Sequence, residues 1–256
     1  MECLAVTGGV LYIRFIPWMD VPLLIQGLTV KRSGGMGEDW EKFKAGMRSA
    51  GFDSIQTLKQ VHGARVIRIA RPDSGKQGEI SPGLKTEADG MVSGVGNILG
   101  TVTVADCVPV FLLDRVSGAW GLVHAGWRSI ASGILQETLK AMNESLDIPA
   151  YRIEIYFGPA ICGSCYEVGP EVAARLLTGA VNPANNSCPG KVHIDLRDIL
   201  ARQARWAGVP AASIYTSHFC TRCHNYLFHS YRTEGISAGK MWAFMGSTVP
   251  GSFYRP

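Results

Sequence analysis

The chain has 256 residues, 46% apolar and 18% charged, enough apolar material for a large core and too much for a disordered chain. Thirty glycines and 13 prolines without a G-X-Y period exclude collagen and imply many turns and short elements. Lys and Arg number 25 against 21 Asp and Glu, scattered without a basic run, so no nucleic-acid groove is indicated, while a small anionic substrate is allowed.

Seven cysteines, an odd number, and an N-terminus without a basic segment ahead of an apolar stretch predict a reduced, cytoplasmic protein. Arg14, Pro17, Asp20 and Pro22 interrupt the apolar stretch 10–30, which excludes a membrane span. Residues 10–16 and 23–30 read as short strands flanking the turn PWMDVP. A glycine-rich loop follows, and Asp39 is placed to cap a helix running to Gly51. Residues 65–70 read as a strand and 71–87 as a polar loop. The apolar, β-branched segment NILGTVTVADCVPVFLLD reads as two buried strands meeting at a corner marked by Asp106 and Pro109.

Residues 127–146 carry one helical stripe through Ile130, Ile134, Leu135, Thr138 and Met142. A strand at 153–158, a helix at 170–179, and a helix after Asp195 as cap come next. Strands at 213–219 and around MWAFM close the order. No repeat or low-complexity linker appears, which predicts one α+β domain over 1–256 with mixed sheets and helices packed outside.

Three segments place a metal-binding residue type in an apolar, turn-rich setting: KQVHG with His62, VADCVPV with Cys107 and GLVHAGW with His124. Their spacings, 45 and 17 residues, form no local metal motif, so the three would have to meet in space. Imidazole, thiolate and imidazole suit zinc or copper, and three protein ligands leave a position open, as in catalytic zinc sites. Spacing alone favours three separately buried residues, each satisfied by hydrogen bonds.

KQVHG, EADGMV, ADCVPVFLLD, VHAGWR, GPAICGSCYEVG and FHSYR, in that order, resemble the YfiH family of laccase-domain proteins. That family is also termed multicopper polyphenol oxidase and purine nucleoside phosphorylase. The resemblance runs from about Gly27 to Met245. It implies mixed β-sheets between helical layers, related to the deamidase toxin fold. It implies zinc, with copper as the other choice, on His62, Cys107 and His124, which then also serve catalysis. It implies phosphorolysis of adenosine, inosine, guanosine or methylthioadenosine, and deamination of adenosine.

KRSGG resembles the family's T-R-x-G-G turn and puts Arg32 where a guanidinium and backbone N–H groups can hold phosphate. Lys59, Gln60, His229 and Arg232 are further candidates for the substrate pocket. The chain departs from the family where GMGEDW replaces an L-N-L-G stretch, and where Thr233 and Lys240 replace late arginines. Asp106 is placed to orient a ligand, accept a proton or cap a turn, and Glu167 to serve structure.

Cys3 and Cys188 stand alone. The pairs Cys162/Cys165 and Cys220/Cys223 are separated by 54 residues, beyond the usual zinc-module spacing, so the sequence predicts no joint tetrahedral site. The expected partners are a purine nucleoside and phosphate, with neither nucleic acid nor membrane, in a monomer or homodimer. The competing activities are a Cys–His amidase or hydrolase using Cys107 and His124, including editing of cell-wall precursors, and copper-dependent oxidation of phenols.

Overall fold

A computed structural model describes residues 2–31, 36–70, 79–80, 86–176 and 190–248. Its strands are β1 (Glu2–Thr7), β2 (Val10–Phe15), β3 (Leu24–Thr29), β4 (Ser54–Lys59), β5 (Val66–Ile69), β6 (Glu79–Ile80), β7 (Thr86–Glu87) and β8 (Gly90–Ser93). They continue as β9 (Ile98–Val104), β10 (Val108–Asp114), β11 (Trp120–Ala125), β12 (Ile153–Phe157), β13 (Glu167–Val168), β14 (Val192–His193), β15 (Ile214–Thr216) and β16 (Met241–Ser247). The α-helices are α1 (Met36–Ser49), α2 (Trp127–Ala131), α3 (Ile134–Leu146), α4 (Pro170–Leu176), α5 (Leu196–Trp206) and α6 (Tyr231–Glu234).

Two seven-stranded sheets carry the fold. One runs β1-β2-β3-β16-β9-β4-β7, the other β15-β12-β10-β11-β8-β5-β6. Both are mixed: β4 is parallel to β9, and β5 to β8, while the central pairs β16/β9 and β10/β11 are antiparallel. The strand period of two explains the layering. In β10, Phe111 and Leu113, with Trp120 of β11, face the other sheet, where they join Phe15, Leu28 and Val102. Val108, Val110 and Leu112 face away, against Ile134, Leu135, Ile199 and Leu200 of α3 and α5. On the opposite side, Phe43 and Met47 of α1 cover Tyr12, Leu99 and Phe244. The expected α+β arrangement, mixed sheets between helical layers, is therefore present. No helix among the described residues is long and apolar enough to cross a membrane.

Several local expectations change. The helix read over 127–146 is two helices, because Gly133 takes φ +81° between them. The buried stripe survives the break: Ile130 lies on α2, and Ile134, Leu135, Thr138 and Met142 on α3. The first helix begins at Met36, so Asp39 lies inside it rather than at its cap. The cap at Asp195 is as read, its carboxylate accepting from Arg197 N at 2.9 Å. A strand before Val10 was not anticipated; β1 pairs with β2 in a hairpin, Thr7 opposite Val10.

The sheets pack closely where Gly100 of β9 meets Trp120. A Cβ at Gly100 would lie 2.6 Å from Cη2 of that indole and 2.5 Å from Met91 Sδ. Both side chains are fully buried and cannot withdraw to solvent. Gly100→Ala is expected to cost about 1–3 kcal/mol through overpacking, read as a lower urea midpoint with an unchanged slope.

Candidate functional site

Two connections cross from one sheet to the other at the same end of the sandwich. Residues 60–65 link β4 to β5, and residues 105–107 link β9 to β10. The second is the corner anticipated between two buried strands, and Asp106 turns it with φ +82°. Cys107 stands immediately before β10, whose Val108 is registered opposite Ala125 of β11. His124 belongs to the face of β11 that also carries Trp120 and Leu122, so its ring points between the sheets. His62 arrives on the first crossing with φ +58°, an uncommon backbone for a residue other than glycine.

Asp89 ties these parts together. It is fully buried just before β8. One carboxylate oxygen accepts from His62 N at 3.0 Å, and the other from Val61 N at 3.1 Å and Gly63 N at 2.8 Å. The same carboxylate bonds His124 Nδ1 at 2.9 Å. Burial opposes its charge, but His124 and the loop N–H groups hold its pKa below the usual aspartate value.

With Nδ1 committed to Asp89, His124 Nε2 is left for Cys107. The donor atoms of His62, Cys107 and His124 lie within 4.8 Å of one another. The two imidazoles meet edge to face at 4.7 Å. Gly126 closes the space: a Cβ there would lie 3.1 Å from both Cys107 Sγ and His62 Cδ2. Burial works against a charged Cys107, yet His124 and His62 lower its thiol pKa to about 6. Burial also opposes charge on His124, but Cys107 and Asp89 raise its pKa to about 9. A thiolate beside two imidazoles, with Asp89 fixing one tautomer, is a donor set that fits zinc or copper.

These residues line a cavity of about 540 Å³, within the usual range for small-molecule sites. Its wall includes Arg128, Arg232, Lys240 and the ring of Tyr166. Arg232 lies over Tyr166 at 5.1 Å, and its Nη1 donates to Glu167 O at 2.8 Å.

The other candidates separate. Gln60 lines the cavity, but its amide is engaged by β9: Nε2 donates to Thr103 O, and Oε1 accepts from Thr103 N and Oγ1. It braces the two connections rather than facing a ligand. Lys59 is exposed and paired with Glu87 at 2.7 Å, off the cavity wall, because strand alternation turns Leu58 inward and Lys59 outward. His229 is likewise absent from the wall; its Nδ1 meets Glu234 Oε2 at 3.1 Å. Arg32 lies outside the described residues. Asp106 is a brace: it accepts from Thr221 Oγ1 and Arg232 N, each at 2.6 Å. Glu167 pairs with Lys191, as a structural residue should.

Asp89 was missed, although EADGMV contains it; an aspartate before a strand looks like any turn residue until its donors are assembled. The distance argument against a joint cysteine site fails: Cys162, Cys165, Cys220 and Cys223 converge, their sulfurs within 4.8 Å of one another.

Glu234 anchors the segment that carries Arg232. It bonds Lys31 at 2.8 Å, Asn225 at 2.5 Å, His229 and Ser230 N. Burial pushes its pKa up, but the bonds from Lys31, Asn225 and His229 prevail and lower it to about 2. A carboxylate depressed on folding stabilises the native state above its unfolded pKa, and that contribution fades as pH falls towards the folded value. Wild type should therefore exceed Glu234→Gln in urea stability near neutrality. The gap should close as pH falls from about 4.5 towards about 2.

The family described as multi-copper polyphenol oxidoreductase laccase matches residues 40–248. The purine nucleoside phosphorylase YlmD of Geobacillus stearothermophilus is 32% identical over 192 residues, 73% of this chain and 70% of that protein. Adenosine deaminase RL5, from an unknown prokaryotic organism, is 34% identical over 197 residues, 74% of this chain and 73% of that protein. The crystal structure of Geobacillus stearothermophilus YlmD superimposes with a TM-score of 0.82 at 26% identity, covering 96% of this chain and 99% of that one. Bacillus licheniformis YfiH shares the fold with a TM-score of 0.80 at 22% identity, over 95% and 98% of the two chains. With the family model matching most of its length, relatives above 30% identical and the fold of YlmD, the chain belongs to the laccase-like YfiH family.

Proposed function

We propose that this protein is a zinc-dependent purine nucleoside enzyme that acts in the cytoplasm, cleaving nucleosides with phosphate and deaminating adenosine. The observation that carries the reading is the convergence of His62, Cys107 and His124 in a cavity whose wall holds three cationic side chains. His62, Cys107 and His124 would hold the zinc, which would supply Lewis acidity.

The chain's own groups do the rest. Asp89 keeps Nδ1 of His124 occupied and the 61–63 backbone in place, so both imidazoles are preset. Arg128, Arg232 and Lys240 give an anion a cationic wall. Tyr166 offers an aromatic face, backed by Arg232, on which a purine can stack. Arg32 is proposed as a further phosphate donor. In phosphorolysis a phosphate oxygen bonds to C1′ while the C1′–N bond breaks, giving ribose 1-phosphate and adenine. In deamination water adds at C6 and ammonia leaves, giving inosine.

A second reading uses the same geometry without metal. Cys107, His124 and Asp89 form a nucleophile, base and orienting carboxylate, the arrangement of a Cys–His amidase. Copper oxidation of phenols is less well supported, since one His–Cys–His set makes one centre, whereas four-electron oxygen reduction needs several coppers.

Product analysis with adenosine separates these. Ribose 1-phosphate and adenine are expected with phosphate, and inosine without it. Adenosine left intact in both, by protein with zinc bound, would overturn the nucleoside reading and favour the amidase. Asp89→Asn should weaken zinc binding by about 10–100-fold, measured by competition with a chelating dye. Arg232→Lys keeps the charge but loses the planar fork. It should raise the KM for phosphate by about 10-fold or more, with deamination less affected.

A further inference from the structure

We infer that Cys162, Cys165, Cys220 and Cys223 bind a second metal ion, a structural zinc in an all-thiolate tetrahedron. Their four sulfurs lie within 4.8 Å of one another, with Cys165 and Cys223 at 3.4 Å. Zinc–sulfur bonds of about 2.3 Å in a tetrahedron require sulfurs about 3.8 Å apart. The cluster is therefore near the spacing a tetrathiolate site requires.

The backbone around the sulfurs has the shape of two facing turns. In the first, Cys165 N and Tyr166 N both donate to Cys162 O, at 3.0 and 2.9 Å. In the second, Cys223 N donates to Cys220 Sγ at 3.4 Å, and His224 N to Cys220 O at 2.9 Å. Cys162 N also donates to Cys220 Sγ, at 3.3 Å, across the cluster. N–H groups aimed at sulfur stabilise thiolate, the form a metal binds. The two turns are held in register by a parallel bridge between Ala160 and Cys220, and by Thr221 N donating to Ala160 O. This bridge is why a 54-residue separation in sequence does not prevent the pairs from meeting.

Four thiolates with no imidazole or carboxylate select zinc among the redox-silent metals. All four positions are filled by protein, so this site leaves none for substrate and is structural. Cys220 is buried, Cys162 and Cys165 are half-buried, and Cys223 is exposed, which leaves an entry path for the ion. Binding displaces thiol protons to solvent as the four sulfurs become thiolates, and no oxidant or reductant is involved.

The position gives the ion a purpose. The first turn leads from Ile161 to Tyr166, both on the cavity wall. The second leads through Thr221, whose hydroxyl bonds Asp106, the residue that sets the corner before Cys107. Ile161 N donates to Asp106 O from the other side. A zinc there staples the two segments that hold the cavity wall and the Cys107 corner.

The test is metal analysis of full-length protein purified without added metal, using Cys107→Ser to remove the sulfur from the His–Cys–His site. About one zinc per chain is expected to remain in Cys107→Ser. It should be lost when Cys165→Ser and Cys223→Ser are added, and retained when Cys165→His is added instead, because imidazole can replace one thiolate. Cobalt substituted into Cys107→Ser should show the intense visible bands and sulfur-to-metal charge transfer of a tetrathiolate. If the double serine variant does not fold, zinc content and the cobalt spectrum of Cys107→Ser alone decide. Folded Cys107→Ser that holds neither zinc nor cobalt would overturn the proposal. So would a Cys165–Cys223 disulfide in freshly isolated protein, or zinc content indifferent to the Cys165 and Cys223 substitutions.

Discussion

The buried carboxylate of Asp89 is the constraint on which the site depends. A fully buried charge is tolerated only when its oxygens are satisfied, and here three successive loop N–H groups and one imidazole satisfy them. The arrangement works in both directions. The loop around His62 takes its path because the carboxylate gathers its N–H groups, and His62 accepts a left-handed backbone to do so. The ring of His124 is oriented because the same carboxylate holds its Nδ1. Without that anion, three N–H groups would lose their acceptor and both imidazoles their orientation.

The anion can act on both histidines only because of the way the sheets are joined. Residues 60–65 and 105–107 cross between the sheets at one end, so His62 and Cys107 come from crossings, while Asp89 immediately precedes β8 and His124 lies on the adjacent β11. The register settles the rest: Gly90 opposes Val123, and Val108 opposes Ala125, which brings the three strand ends to one level. A slip of one residue in β11 would turn His124 to the helix side and put Val123 or Ala125 between the sheets.

Much of this was legible in the sequence, and what was not follows a pattern. β-Branching and apolar density located β9 and β10, and the polar break at Asp106 and Pro109 marked their corner. The cap at Asp195 and the stripe from Ile130 to Met142 were readable because each is a local relation. Gly133 split that helix through its backbone angle, which composition does not reveal. Lys59 and His229 were misplaced because adjacency to a motif does not set a side chain's direction: alternation sends one outward, and Glu234 holds the other. The two cysteine pairs were kept apart on sequence distance. Yet a single bridge between residues 160 and 220 brings distant segments as close as a hairpin does.

The layout of charge in the cavity bears on how one site could serve two nucleophiles. The sulfur and imidazole donors sit where the sheets end, while Arg128 and Arg232 come to the cavity wall from α2 and α6, and Lys240 from just before β16. An anion needs charge-assisted donors; water does not. In the proposed reading the purine is held alike in both reactions, and occupancy of the cationic wall selects between them. That wall is not independent of the core. Arg232 N donates to Asp106, Asp106 also accepts from Thr221, and Thr221 adjoins Cys220. Arg232 is thus positioned through the same aspartate that turns the chain into Cys107, so in the proposed reading a shift in the cysteine cluster would move this cation and the thiolate together.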